Sequence, residues 1–177
     1  MNMKKLSAAV VVMLGLGVSA AQAEDGSLNF TGDVSSSSCS VAASSTALTV
    51  NFDGYAATSL DGMAPGMTSG GLQKPFSITL AGCPEGVTVA KIKLDGKTSG
   101  IIPNAFVGNS TASYVGIVIS DAETGAVITP KAFGSDKAIH AGSDNVLNYL
   151  VGLTKTSESA AGAGTIDVPV TFTMSYE

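Results

Sequence analysis

The sequence contains no arginine and no tryptophan, and charged residues make up only 13% of its 177 residues. Beyond the first 23 residues, seven lysines face 14 acidic side chains, so this part of the chain is strongly negative. Arginine is the usual residue for bidentate contacts with phosphate and guanine, and a basic patch is the expected footprint of nucleic-acid binding. Because both are absent, we exclude nucleic acid as a partner.

The sequence has a single histidine, His140, which restricts both catalysis and metal binding. A catalytic imidazole needs a nucleophile and an orienting acid, and His140 lacks the spacing of a known triad or nucleophile elbow. Asp121 and Glu123 form an acidic pair, but without the alternating ligand loop of a calcium site they are predicted to lie in a solvated turn. We therefore expect no enzyme, no cofactor and no metal site, and we expect His140 on an exposed loop or strand.

Long apolar runs are also scarce, and the one at the N-terminus is typical of a secretory signal. Lys4 and Lys5 precede an apolar run at residues 6–18, which the small-x-small pattern Ala21-Gln22-Ala23 follows. The run is shorter than the roughly 20 apolar residues that a membrane-spanning helix needs, so an anchor is the weaker interpretation. We predict a signal peptide at residues 1–23 and a single exported domain after it.

Only two cysteines are present, Cys39 and Cys83. In an exported chain two thiols are more plausibly a disulfide than a zinc site, which needs four ligands. The bond would close a loop of about 44 residues, which removes on the order of 4 kcal/mol of denatured-state entropy. We predict that this pair is structural.

Apolar and polar residues alternate with a two-residue period along most of the chain. Such runs occur at residues 48–52, 76–80, 87–94, 114–119, 146–153 and 166–176. Pairs such as Asp53-Gly54 and Asp95-Gly96 punctuate them. Many short strands between turn signals indicate an all-β sandwich or barrel. We predict one helical turn near residues 56–60 and loops at residues 62–71 and 156–164.

The first strand-like segment of the mature chain has one apolar face. Leu28, Phe30, Gly32 and Val34 share that face, and four serines separate the segment from Cys39. The pattern predicts a strand whose apolar face needs a groove, joined to the disulfide by a pliable link. An ordinary first strand that pairs within its own sheet is the open alternative.

The C-terminal segment alternates more regularly, and its apolar face comprises Ile166, Val168, Val170, Phe172, Met174 and Tyr176. A period of two over this length predicts a half-buried antiparallel strand. Pro169 cannot donate a ladder hydrogen bond, which predicts an edge on one side of the strand near its start. A long edge strand favours pairing with another chain, although an ordinary terminal strand is again the alternative.

Three stretches resemble the pilin subunits of the chaperone–usher family, of which type 1 and P-pilus subunits are the best-known members. They are residues 32–39, residues 77–83 and residues 168–176. The placement of the two cysteines, Gly164 ahead of the C-terminal strand and the penultimate Tyr176 agree with this resemblance. It covers essentially the whole mature chain, and the combination of both ends with the cysteine pair is specific.

The resemblance implies an all-β, incomplete immunoglobulin-like sandwich of Greek-key topology that lacks its final strand and is completed by donor-strand exchange, a form of β-augmentation. It divides the mature chain into an N-terminal donor-strand extension, residues 24–38, and a pilin domain, residues 39–177. The implied donor residues are Leu28, Phe30, Gly32 and Val34. The implied groove and chaperone-docking residues are Gly164, Val168, Val170, Phe172, Met174, Tyr176 and Glu177.

The implied function is a structural subunit of a fimbria that supports cell adhesion on the outer surface of a bacterium. Its partners would be neighbouring subunits in a head-to-tail polymer, a periplasmic chaperone and an outer-membrane usher, and the chain would be exported through the periplasm. A minor adaptor or a terminator of the same system is an alternative. A secreted β-sandwich module that binds carbohydrate is an alternative from a different class, although such modules typically present aromatic platforms.

Overall fold

The structure, a computed structural model, describes residues 38–177. The predicted signal peptide and the four predicted donor residues (Leu28, Phe30, Gly32 and Val34) lie outside these described residues. The elements are β1 (Ser40–Val41), α1 (Ala43–Thr46), β2 (Gln73–Ala81), β3 (Val89–Gly96), β4 (Val115–Asp121), β5 (Lys137–Ala138), β6 (Asn145–Lys155) and β7 (Val170–Tyr176), with 3₁₀ turns at Ala57–Leu60 and Gly70–Leu72. Within residues 38–177, no helix is long and apolar enough to cross a membrane.

The strands form two antiparallel sheets that pack as a sandwich. The first sheet has the order β1-β2-β6-β4, and the second has the order β5-β3-β7. Phe76 lies opposite Tyr149 in the first sheet, and Ile92 lies opposite Met174 in the second. The all-β prediction is confirmed, and the helical turn predicted near residues 56–60 is the 3₁₀ turn at Ala57–Leu60.

Alternation locates most strands but fails at two places. The predicted runs at residues 76–80, 87–94, 114–119 and 146–153 correspond to β2, β3, β4 and β6. The run at residues 48–52 forms no strand, and the C-terminal run forms β7 only from Val170 onward. The residues of one segment are enough to predict an apolar face. A strand also needs a neighbouring segment for its backbone hydrogen bonds, and the segment's own residues do not predict that neighbour.

Inward-facing residues of both sheets form the core. The alternation directs one set of side chains between the sheets, which removes them from water. Members that are at most 6% exposed are Ile78 and Leu80 of β2, Ile92 and Leu94 of β3, Ile117 and Ile119 of β4, and Leu147, Tyr149 and Val151 of β6. The ring of Tyr149 stacks on that of Phe76, with 5.5 Å between centroids.

A disulfide joins Cys39 and Cys83, as the sequence predicts. Cys39 directly precedes β1 and Cys83 follows β2, the strand with which β1 pairs. The bond therefore reinforces the attachment of the short strand β1 to the edge of the first sheet, where its ladder with β2 is two residues long.

A buried ion pair closes the sandwich at the edge formed by β4 and β5. The Lys137 ammonium lies 2.7 Å from the Asp121 carboxylate and 2.9 Å from that of Glu123. The predicted solvated turn is therefore wrong for Asp121, which is 2% exposed, because a lysine outside the local sequence pairs with it. The prediction for His140 is confirmed, since this residue is exposed.

Candidate binding groove

An apolar groove of about 750 Å³ opens at the opposite edge of the sandwich, between the end of the first sheet that carries β1 and the strand β7. We call residues 45–52 the first wall and residues 166–172 the second wall. The floor comes from both sheets and comprises Phe76, Ile78, Ile92, Leu94, Ile117, Ile119 and Val151. The groove thus reaches the centre of the hydrophobic core.

The first wall begins with the last two residues of α1 and has no regular structure after Thr46. Within residues 38–177, residues 48–52 belong to no helix or strand and make no backbone hydrogen bond in a turn, loop or cap. Leu48 is 44% exposed, and Val50 and Phe52 are half-buried along the groove. The wall therefore offers apolar side chains and a row of backbone donors and acceptors to whatever enters.

The second wall presents a free strand edge in the described part of the chain, because β3 is the one strand paired with β7 there. The Ile92 carbonyl accepts a hydrogen bond of 2.7 Å from Gly134, so it points away from β7. Its neighbour Lys93 therefore points its backbone at β7, where Thr173 lies opposite. Backbone groups alternate sides along a strand, so even-numbered residues such as Phe172 direct their N–H and C=O into the groove edge.

The side chains of these even-numbered residues face the sandwich interior yet are only partly covered. They are all half-buried: Ile166, Val168, Val170, Phe172, Met174 and Tyr176. The facing residues of β3, namely Ala90, Ile92 and Leu94, are at most 3% exposed. Each even-numbered residue thus combines an incompletely buried apolar side chain with outward-directed backbone groups, which is the surface that an additional strand would cover. Burial raises the pKa of the Tyr176 hydroxyl.

The start of the second wall packs closely on residues 108–113, which precede β4. A Cβ on Gly164 would lie 2.7 Å from the Ala112 Cα, so only glycine fits there. Asp167 accepts a hydrogen bond of 2.8 Å from the Asn109 N–H, and Thr165 accepts one of 3.0 Å from Thr111. The predicted residue Gly164 is therefore a site of close backbone approach at the upstream end of the groove.

Pro169 lies where the second wall changes its neighbour. Residues before it bond to residues 109–113, and pairing with β3 begins at Val170. Asp167 directs its backbone toward residues 109–110 and Thr171 lies opposite Asp95. Pro169 lies two residues from Asp167 and two from Thr171, and backbone groups alternate sides along a strand. Its nitrogen therefore faces the same side as the backbone groups of those two residues, away from the groove. Among the described residues β7 is an edge strand, as predicted, but the proline marks the change of neighbour and leaves the groove edge complete.

A second, more polar pocket of about 390 Å³ continues the groove past Ile166. Residues 50–55 and residues 164–166 line it. The two pockets share Val50, Asn51 and Phe52, so the first wall runs along both. The groove is thus apolar along the sheets and polar at the Gly164 end.

The C-terminus lies at the other end of β7 and is held by the chain itself. The main-chain oxygen of Glu177 accepts hydrogen bonds from the Thr88 and Val89 N–H groups, at 2.8 and 3.0 Å. Its side chain lies 2.8 Å from the Lys91 ammonium, which also contacts Asp136 at 3.4 Å. The Glu177 carboxylate raises the pKa of Lys91. The end of β7 is therefore fixed in register against β3.

Of the predicted residues of the C-terminal strand, Val168, Val170 and Phe172 line the groove, and Gly164 lines the second pocket at its upstream end. Met174, Tyr176 and Glu177 lie further along the strand, beyond the second wall, and line neither pocket. The first wall and the floor are not among the predicted site residues. The alternation at residues 48–52 is the one signal for the first wall, but the same pattern predicts an ordinary strand. Residues 109–113 carried no signal, since hydroxyl-bearing residues in a loop have no period.

Comparisons with known proteins agree on one group. A sequence model described as "fimbrial protein" matches residues 28–177. The P pilus rod subunit PapA is 18% identical and covers 80% of this chain and 100% of its own, with a TM-score of 0.65. A chain from the structure of a chaperone–usher pilus is 19% identical over 96% of this chain and 100% of its own, with a TM-score of 0.62.

A Burkholderia pseudomallei antigen and type I fimbria protein is also similar. It is 24% identical, covers 85% of this chain and 97% of its own, and gives a TM-score of 0.57. At these identities the solved structures show the fold alone, and that fold is the immunoglobulin-like sandwich of pilin subunits.

Proposed function

The chain belongs to the fimbrial protein family, and on that premise we propose that it is a structural subunit which polymerises by donor-strand exchange. In this proposal the N-terminal extension of one subunit, residues 24–38, enters the groove of its neighbour. The observation that carries the proposal is the groove, whose two walls supply backbone hydrogen-bonding groups on either side of an apolar floor. An extended segment is the ligand that satisfies both requirements at once.

The groove is costly to leave open in water. Its floor belongs to the core, and exposed apolar area of this kind marks an interaction site. A free strand edge beside it adds unpaired N–H and C=O groups, which favour pairing with another strand. Each apolar side chain that an incoming strand buries contributes roughly 1.5–3 kcal/mol, and ladder hydrogen bonds add to that.

The proposed donor fits the groove in length and pattern. From Leu28 to Val34 an extended chain covers roughly 20 Å, and the second wall from residue 166 to residue 172 covers the same length. Leu28, Phe30 and Val34 would fill the apolar part, whereas Gly32 would pass a shallow part of the floor. The four serines before Cys39 would link the donor to its own domain.

Export and assembly follow from the same surface. We propose that a periplasmic chaperone first covers the second wall and contacts the terminal carboxylate, which belongs to Glu177. Exchange of the chaperone for the donor strand then takes place at an outer-membrane usher. Each subunit then gives its donor to one neighbour and receives one from the other, so the contact is heterologous and generates an open filament. The product would be an extracellular fimbria that supports adhesion.

The groove favours a polymerising subunit over the two alternatives. A terminator would lack a complete groove, whereas residues 45–52 and 166–172 line one of about 750 Å³. A carbohydrate-binding module would typically present an aromatic platform, whereas the aromatic groove residues Phe52, Phe76 and Phe172 are half-buried.

Replacing Gly32 by leucine tests the proposal. The added side chain has no room at the shallow part of the groove, so fibre assembly is expected to stop while co-purification with the chaperone continues. Ser37→Leu, in the serine link, is the matched control and should assemble. Normal fibres from the Gly32→Leu variant would contradict donor insertion, and loss of chaperone binding as well would assign the defect to folding.

A further inference from the structure

The hydrogen bonds between residues 109–111 and residues 165–167, at the start of the second wall, differ in the two directions. In one direction backbone N–H groups of Asn109 and Thr111 donate to backbone carbonyls of Asp167 and Thr165. In the other direction the acceptors are side chains: the Asp167 N–H donates to Ser110 Oγ at 2.9 Å, and the Thr165 N–H donates to Thr111 Oγ1 at 2.8 Å. Two hydroxyls thus take the place of two ladder carbonyls.

Each hydroxyl makes a second contact with the residue that it holds. Ser110 Oγ lies 3.4 Å from the Asp167 carbonyl and can donate to it. Thr111 Oγ1 lies 2.9 Å from the hydroxyl of Thr165. The two side chains therefore fix both the position and the orientation of the peptide units on either side of Ile166.

At Gly108 and at Gly164 the two backbones are too close for a Cβ on either residue. A Cβ on Gly108 would lie 2.8 Å from the Val168 Cα, and one on Gly164 would lie 2.7 Å from the Ala112 Cα. Two glycines, one from each segment, thus allow the approach that brings the hydroxyls within hydrogen-bonding distance. We call residues 108–112 the clamp.

The clamp acts on a part of the second wall that β3 does not support. Pairing with β3 begins at Val170, and Pro169 has no N–H to contribute. Ile166 and Val168 line the groove from this unsupported stretch. They alternate with Thr165 and Asp167, so the residues held by the clamp and the residues facing the groove occupy successive positions in one extended segment.

We propose that Ser110 and Thr111 are positioning residues, whose hydroxyls hold Ile166 and Val168 against one end of the inserted strand. This inference rests on the proposed donor-strand function. The rest of the wall, residues 170–172, belongs to β7, which β3 holds from Val170 to Tyr176 without the clamp. Removing the hydroxyls therefore loosens one end of the groove and leaves the other end unchanged.

The test compares the variants Ser110→Ala and Thr111→Val with Thr173→Val. Thr173 is an exposed threonine on the outer face of β7. It is a matched control because its hydroxyl makes no hydrogen bond within residues 38–177. Hydrogen exchange of the Thr165 and Asp167 amides is expected to accelerate by about five- to tenfold for each hydroxyl removed, as for one lost hydrogen bond. In the Ser110→Ala and Thr111→Val variants the Thr173 amide should exchange at the wild-type rate.

The second readout is a labelled peptide of residues 24–38 that displaces the chaperone from the chaperone–subunit complex. Peptide dissociation is expected to accelerate about five- to tenfold in the two clamp variants and to stay unchanged in Thr173→Val. Peptides with Leu28→Ala or Val34→Ala report which end is affected. Each truncation is expected to accelerate dissociation from the wild-type subunit. In the clamp variants only one of the two truncations should lose this effect, because the clamp faces one end of the donor.

The outcomes separate this inference from the function on which it rests. A wild-type subunit that fails to take up the peptide contradicts donor-strand exchange. If the wild type takes up the peptide and the clamp variants release it at the wild-type rate, the positioning role is wrong and the function stands. The inference is also overturned if the clamp variants change the effects of Leu28→Ala and Val34→Ala by the same amount. Equal changes at both ends of the donor would indicate a general loss of stability.

Discussion

Replacing Asp121 by asparagine removes one charge from the buried pair that joins β4 to β5. Lys137 is 6% exposed, so its ammonium would be left in the interior without its nearest carboxylate. Losing one partner of a buried ion pair typically costs 3–5 kcal/mol. The Glu123 carboxylate, whose side chain is 65% exposed, stays 2.9 Å from Lys137 and retains part of the interaction. We therefore expect a loss of about 3 kcal/mol in the free energy of unfolding.

The pH dependence of stability gives a second measure of the same pair. Burial alone raises the pKa of Asp121, but hydrogen bonds from Lys137, from the Thr124 and Glu123 N–H groups and from Ser135 lower it from 3.8 to about 2. A lowered carboxyl pKa stabilises the fold above pH 3.8, and that contribution is lost as the pH falls toward 2. The difference corresponds to about 2 kcal/mol.

The assay is denaturant unfolding of the mature chain with its disulfide intact, at a fixed excess of the donor peptide, between pH 2 and pH 7. Asp136→Asn is the matched control, because Asp136 pairs with a lysine at 3.4 Å but its side chain is 67% exposed. It should change stability by less than about 1 kcal/mol. If Asp121→Asn behaved like this control, or kept the full acid dependence of the wild type, the assignment of the pair as a closing contact would be refuted.

Two further changes test the frame of the groove. Substitution of Cys39 and Cys83 by serine opens a loop of 44 residues and is expected to lower the free energy of unfolding by about 4 kcal/mol, measured by denaturant unfolding in the same peptide excess; a loss below about 1 kcal/mol would contradict a structural role. Gly164→Ala places a Cβ against the backbone of Ala112 and should cost about 1–3 kcal/mol and weaken peptide binding. Gly100→Ala, where a Cβ would meet nothing within 4 Å, is the control, and equal effects of both substitutions would contradict the close approach.

Periodicity in the sequence predicts correctly those strands for which the fold also supplies a backbone neighbour. For β2, β3, β4 and β6 an alternating apolar face coincides with a neighbour that pairs along the whole run. At residues 48–52 the apolar face is present, but the described chain supplies no backbone partner, so the segment becomes one wall of the groove. The prediction of a strand at residues 48–52 is wrong for the same reason that the first wall could not be predicted: the backbone partner is missing.

Contacts between distant residues account for the other differences. Asp121 precedes a Thr124-Gly125 turn, and this pattern predicts a solvated carboxylate. The lysine that pairs with Asp121 belongs to a different sheet, so the local sequence does not reveal it. The clamp is equally invisible, since Ser110 and Thr111 act on residues more than fifty positions further along the chain. Neither contact leaves a period or a motif in the sequence.

The most direct test of the central claim is amide hydrogen exchange along β7, in the dilute mature subunit and again after addition of the peptide of residues 24–38. The odd-numbered amides, such as that of Thr173, already pair with β3 and should be protected throughout. The account predicts that even-numbered amides, such as those of Phe172 and Met174, become protected only when the peptide is present. Even-numbered amides that are already protected in the monomer, or that stay unprotected in the saturated complex, would contradict a groove completed by a neighbour's strand.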